Sequence, residues 1–302
     1  MNKNFSPEAI LINKQERGSD SEEHEINLNI AYKKAVELLN EERISQDEFR
    51  DLYKSRIIKE HGDYVEQRQQ KFKIDNTPEQ IEAQKYAIVF EAIIHDQIDM
   101  NGWLGEHATA QKASWYDDLK NGIDEIIEFE QTETSSTSHL ALGVDITFGK
   151  GIIDKMDSIK KRIDKGNIGV IQYLLTDTYR GEMKNVPRVI IGVDMKNLNE
   201  IIKLWVDNKK RSLAQHHVKF LIISQIEMQL NDFAEYAKKR GKTTIADSYG
   251  RVLKIVQNIR DEEEKKYPGE SNNINFGEDR VCSDIQKYCN SLNEEKAGQE
   301  VN

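Results

Sequence analysis

The stretch HLALGVDITF, His139 to Phe148, decides the fold class. Leu140, Leu142, Val144, Ile146 and Phe148 fall on one face of an extended chain, and Ala141, Gly143, Asp145 and Thr147 on the other. A period of two predicts a strand with one apolar face. Asp145 sits in the middle of this most apolar strand. An ionised carboxylate there costs several kcal/mol unless it is paired, hydrogen-bonded or bound to a metal. The rest of its face is small, which leaves room for something to approach.

Before it, Ile123–Glu130 (IDEIIEFE) predicts a second strand, joined to the first through the polar loop TETSSTS. Asp124 opens that strand, and Asp117 and Asp118 precede it in WYDDLKNGIDEII. Further back, Thr77-Pro78-Glu79-Gln80 signals a helix start: a capping threonine, a proline suited to the first turn, and a glutamine able to close the capping box. That helix should run to about Met100. Ile81, Tyr86, Ile88, Val89, Ala92, Ile93 and Ile94 make it apolar over much of its surface, so it is expected to be buried with Glu91 inside it. After Phe148, Gly151–Lys165 reads as an amphipathic helix with Ile152, Met156, Ile159 and Ile163 on one stripe and Gly166 as its stop. Ile168–Leu175 and Arg188–Val193 read as two more strands. The chain therefore mixes α-helix and β-strand.

Helical segments flank this centre. Residues 1–26 are polar and aperiodic and are expected to be disordered. Residues 27–76 predict a helical arm: Leu28, Ala31, Tyr32, Ala35, Leu38 and Leu39 keep helical spacing, and Ser45 with Glu48 reads as a capping box before Phe49, Leu52, Tyr53 and Ile57. Residues 195–266 predict helices at Leu198–Trp205, Val218–Ala237 and Ile245–Arg260, the last two an antiparallel pair. Residues 267–302 read as a charged tail with little to bury.

Composition narrows the function classes. The 302 residues carry a net charge of -10 and a pI of about 5.4, which argues against a general nucleic-acid coat. It does not exclude a nuclease, because a metal site is itself built from carboxylates. Cys282 and Cys289 lack a second Cys/His pair and read as free thiols. No apolar run approaches the ~20 residues of a membrane span, and the N-terminus has no secretory apolar core. The cytoplasm is the default location.

The order of elements and acids from Thr77 to Asp194 resembles the PD-(D/E)xK nuclease superfamily. That fold has a helix, often bearing a glutamate, then antiparallel strands, a helix and a further strand. The resemblance implies a restriction-endonuclease-like core over 77–194 with helical N- and C-terminal extensions. Glu91 matches the helix acid. Asp124, or alternatively Asp118, matches the first aspartate. Asp145-Ile146-Thr147 matches the (D/E)xK motif, with Thr147 in place of its lysine. The family has three strands before its second helix, where only two are plain here; the third is sought in HATAQKASWYDD.

The implied chemistry is Mg²⁺-dependent hydrolysis of DNA or RNA, with Mn²⁺ as a substitute ion and Glu91, Asp118, Asp124 and Asp145 as the candidate ligands. Threonine can orient water but supplies no charge, so a lysine is expected from Lys150 or Lys160. The first rival is a catalytically inactive nuclease-fold binding or scaffold protein, favoured by Thr147. The second is a helical interaction protein, and association of copies through the helical regions stays open. Weaker signals complete the set. Glu91 and His95 stand one helical turn apart, but no third ligand is signalled. His216-His217 lies among Lys209, Lys210, Arg211 and Lys219 and reads best as a solvated helix end. Phe148-Gly149-Lys150-Gly151 lacks the spacing of a phosphate loop. No serine–histidine–acid arrangement stands out.

Overall fold

The computed structural model describes residues 19–74, 77–129, 140–148, 151–176, 179–268 and 277–294. The chain enters as helix α1 (Ser19–Glu41). Ser45 accepts from the Asp47 N–H, but it caps only a 3-10 turn, Gln46–Phe49, rather than the longer helix expected there. Helix α2 follows at Ser55–Ile74. Helix α3 (Pro78–Asn101) begins on the expected capping box, Thr77 and Gln80 bonding reciprocally, and ends on Gly102 at φ 57°. Strands β1 (Ala108–Lys112), β2 (Glu125–Phe129) and β3 (Leu140–Phe148) come next, with one π-helical turn, Asp117–Asn121, between the first two. Helix α4 (Ile152–Asp164) buries Ile152, Met156, Ile159 and Ile163, as the spacing predicts.

Strands β4 (Gly169–Leu175), β5 (Arg180–Val186) and β6 (Arg188–Val193) lead into helices α5 (Met195–Val206), α6 (Lys210–Ala214), α7 (His217–Lys239), α8 (Thr243–Lys266) and α9 (Arg280–Glu294). Four strands form one mixed sheet, ordered β1-β2-β3-β6; β1 to β3 run antiparallel and β6 lies parallel to β3. The third strand before α4 lies within HATAQKASWYDD. One expectation is corrected. The 168–175 segment is a strand, but it pairs with β5 in a separate hairpin, and β6 completes the sheet.

Lys112 pairs with Glu125, and Glu125 with Val144, so these three share a face of the sheet. Helix α3 covers that face, and Val89, Phe90 and Ile93 join Ile127, Leu142, Val144 and Ile146 in the main core. Helix α1 adds Leu28, Ala31, Ala35 and Leu39 to the same core. The other face carries Ile126, Gly143, Asp145 and Thr147. There Ile123 and Ile126 pack with Ile171, Tyr173, Leu174 and Val186 of the hairpin, and with Ile44 and Phe49 of the N-terminal segment. Tyr53 donates to the Gln172 carbonyl at 2.8 Å and His61 meets the Tyr173 hydroxyl at 2.7 Å, so the start of α2 is tied to β4.

The expected charged tail is corrected in part. Val281, Cys282, Ile285, Tyr288, Cys289 and Leu292 are buried along α9. Residues 1–18, the TETSSTS loop and the segment after Glu294 lie outside the described residues.

Strand β6 is an edge strand, yet its outward backbone groups are satisfied. Every second residue meets a side chain. Tyr249 Oη accepts from the Arg188 N–H and donates to the Arg188 carbonyl. Gln229 accepts from Ile190 at 2.9 Å and donates back at 2.6 Å. Gln225 does the same for Gly192 at 3.0 and 2.8 Å. Asp279 accepts from the Asp194 N–H at 2.9 Å. An unmet buried backbone group costs about 1–3 kcal/mol. Gln229→Leu, which strands two such groups at Ile190, is expected to lower stability by about 2–4 kcal/mol in urea denaturation. A loss below about 0.5 kcal/mol would show that water replaces the side chain.

Candidate functional site

Asp145 is 6% exposed and stands beside two bases. Lys155 Nζ, one turn into α4, donates to Oδ1 at 2.5 Å, and Arg188 Nη2 lies 3.8 Å from Oδ2. Arg188 also donates to the Gly122 carbonyl at 2.6 Å, which fixes its guanidinium beside the turn before β2. Gly122 holds φ 66°, and a Cβ there would stand 2.8 Å from Arg188 Nη2 and 3.9 Å from Asp145 Oδ2. The turn can therefore come close only as glycine. Behind Arg188 lies Arg162, its pKa pulled down by burial and then by the Arg188 charge.

Asp124 is almost fully buried. Its Oδ2 accepts from the Ile146 N–H at 2.8 Å, one residue past Asp145 on the neighbouring strand. Thr147 is buried two positions beyond Asp145, on the same face. Asp124, the residue just before β2, is thus tied to β3 between Asp145 and Thr147.

Glu91 is not with them. It lies under the opposite face, where the fully buried Lys112 donates to its Oε2 at 3.1 Å and to the Asp124 carbonyl at 2.7 Å. Glu125 Oε1 stands 3.6 Å from the same ammonium, and His95 Nδ1 lies 3.1 Å from Glu125 Oε2. Burial alone would lower the Lys112 pKa, but Glu91 and then Glu125 outweigh it and keep the amine charged. The expected convergence of Glu91, Asp124 and Asp145 does not occur: among the described residues they do not form a group of three ligand atoms within 4.8 Å.

Asp118 lies 3.5 Å from Arg43. Asp117 is buried and accepts from Ser114, Asn121 and the Gln172 and Tyr173 N–H groups, so it pins the π-turn to β4. Lys160 stacks over the Tyr236 ring at 5.5 Å, and Lys150 lies outside the described residues. The lysine at Asp145 is Lys155, which the sequence reading missed. No family model, curated protein or solved structure matches this chain.

Two histidine expectations also resolve. His95, read as packed or solvated rather than as a metal partner of Glu91, is packed, in the buried network with Glu125. Burial lowers its pKa, yet the Glu125 hydrogen bond and the charges of Glu125, Asp99 and Glu42 outweigh this and raise it above 6.5. A raised folded value gives stability that is complete below pH 6.5 and is lost as pH climbs through the folded value. Unfolding free energy should therefore fall from pH 6 toward alkaline pH, and His95→Gln should flatten that slope. An unchanged slope in the variant would assign the effect elsewhere. His216-His217 does not open onto a basic surface with Lys219, because Lys219 is buried against Glu263.

Proposed function

We propose that the chain is a metal-dependent nuclease on a PD-(D/E)xK-type core, with Asp124 and Asp145 as its acids and Lys155 in the role of the lysine that Thr147 replaces. One observation carries the reading: a lysine from the helix after β3 reaches the carboxylate at the motif position. The order helix α3, strands β1, β2 and β3, helix α4 and then the parallel strand β6 agrees with it, with the β4–β5 hairpin as an insertion. Glu91 has no place among the ligands.

The donor set suits Mg²⁺. Two carboxylates from neighbouring strands are hard oxygen donors, and Mg²⁺ is commonly held by one or two carboxylates while keeping its waters. When bound, the ion would neutralise phosphate charge and lower the pKa of a water. Lys155 would then leave Asp145 for the phosphate and the attacking water, and its side chain, 21% exposed, has solvent to move through. Arg188 Nε is buried and has no partner among the described residues, a donor that a phosphate oxygen would satisfy. Lys112, gripping the Asp124 carbonyl from the far face, positions the first aspartate.

A second reading has its own observation. Both Asp145 oxygens already face bases, so the acids are charge-compensated without metal, which fits an inactive nuclease-fold binding protein. Incubation of the chain with labelled single- and double-stranded DNA and RNA, in Mg²⁺ or Mn²⁺, separates the two. The nuclease reading expects cleavage that EDTA stops and Lys155→Gln abolishes. Binding without cleavage in either ion would select the inactive reading.

A further inference from the structure

Among the described residues, Glu200, His216 and His217 form the one group of three metal-ligating side chains whose donor atoms all lie within 4.8 Å of one another. Glu200 comes from α5. His216 is the N-cap of α7 and His217 its first residue. His216 Nε2 stands 3.7 Å from Glu200 Oε2, and the two imidazole centroids are 4.4 Å apart. Glu200 and His217 are exposed, so an ion can enter from solvent.

The protonation of His217 follows from what stands behind it. Asn197 Nδ2 donates to Asp279 Oδ2 at 2.7 Å, which fixes the amide with its oxygen toward the imidazole. His217 Nε2 lies 2.7 Å from that oxygen and must be the donor, so the ring keeps its proton on Nε2 and leaves the Nδ1 lone pair free. Asp279 is buried and holds the Asp194 and Cys282 N–H groups besides. An acceptor behind the distal N–H of an imidazole is the arrangement that orients metal-bound histidines.

We propose that Glu200, His216 and His217 bind one divalent transition-metal ion of the Zn²⁺ class. Two imidazoles and a carboxylate suit Zn²⁺ far better than Mg²⁺, and water would complete four-coordination. His216 must exchange a proton to take part. Its Nδ1 now accepts from the Val218 N–H across a long 3.3 Å, so Nε2 carries the proton toward Glu200. On binding, Nε2 releases that proton to solvent and takes the ion, while Nδ1 picks one up and lets go of the weak cap. The ion would tie α5 to the start of α7. The site is separate from Asp145 and does not depend on the nuclease reading.

The test uses the full chain, stripped with EDTA and dialysed. Zn²⁺ titrated calorimetrically should bind with one site per chain and raise Tm, while equal Mg²⁺ gives no such heat. Co²⁺ should give the visible absorption of a four-coordinate site with nitrogen ligands. His217→Gln and Glu200→Gln, both at exposed positions, should each weaken Zn²⁺ binding at least tenfold. Asn197→Ala should weaken it about tenfold through loss of the orienting acceptor. Absence of saturable Zn²⁺ binding, or binding that both exposed variants leave intact, would overturn the assignment.

Discussion

Asp145→Asn should lower the unfolding free energy by about 3 kcal/mol, because it leaves two bases in a buried site without their shared counter-charge. Arg188 suffers most: its side chain is 7% exposed and cannot swing into water. Lys155, at 21%, keeps an escape. The opposite substitution is therefore milder. Lys155→Gln leaves Asp145 facing Arg188 and should cost about 1 kcal/mol or less, in the range of a partly exposed pair. The two variants also separate stability from chemistry. If Lys155 supplies charge beside a phosphate, Lys155→Gln loses nuclease activity while melting close to the parent protein. Equal losses of stability from both substitutions would mean that Lys155 is structural cement and nothing more.

Lys112→Met should be more damaging still, about 3–5 kcal/mol, since the ammonium is fully enclosed and serves Glu91, Glu125 and the Asp124 carbonyl together. Methionine fills the volume and takes the ammonium away from both carboxylates, while Glu125 keeps its contact with His95. The double variant Lys112→Met with Glu91→Leu removes one stranded charge and should recover part of the loss. Urea denaturation of the parent, single and double variants measures this. A single variant within 1 kcal/mol of the parent would show that the buried carboxylates simply take up protons. Because Lys112 holds the peptide that carries Asp124, any nuclease activity should fall in the double variant even where stability returns.

The strand bearing Asp145 was legible because its alternation is uninterrupted, and pleating then fixes which face the acid shares with Thr147. Strand β1 was not, because its inward side chains are Ala108, Ala110 and Lys112: two small residues and a charge carry no hydrophobic period. The same opacity hid the partner of Glu91, since a fully buried lysine reads in sequence as a surface residue. Lys155 was missed for a different reason. Its approach to Asp145 depends on the angle at which α4 leaves β3, and no residue spacing reports that angle. Strand β5 is half-exposed and polar, and lacks a pattern. Helix α9 was overlooked for another reason: Val281, Cys282, Ile285, Tyr288, Cys289 and Leu292 keep an amphipathic rhythm, but the surrounding charge made the segment read as a tail.

Gln225 and Gln229 on α7 make that helix behave, for two steps, as a surrogate strand beside β6. The arrangement works like a vernier. Four residues of helix advance about 6.0 Å, while two residues of strand advance about 6.6 Å. The scales agree within the tolerance of a hydrogen bond for one interval and drift by about 1.2 Å after two. A third glutamine in register would fall at position 221 or 233, and the chain has Leu221 and Phe233 there. Service at the ends of the strand passes to other elements, Tyr249 from α8 and Asp279 before α9. A helix can thus seal only a short length of sheet edge by itself. The six residues of β6 are closed because three helical segments meet along it, leaving incoming strands no backbone to pair with there.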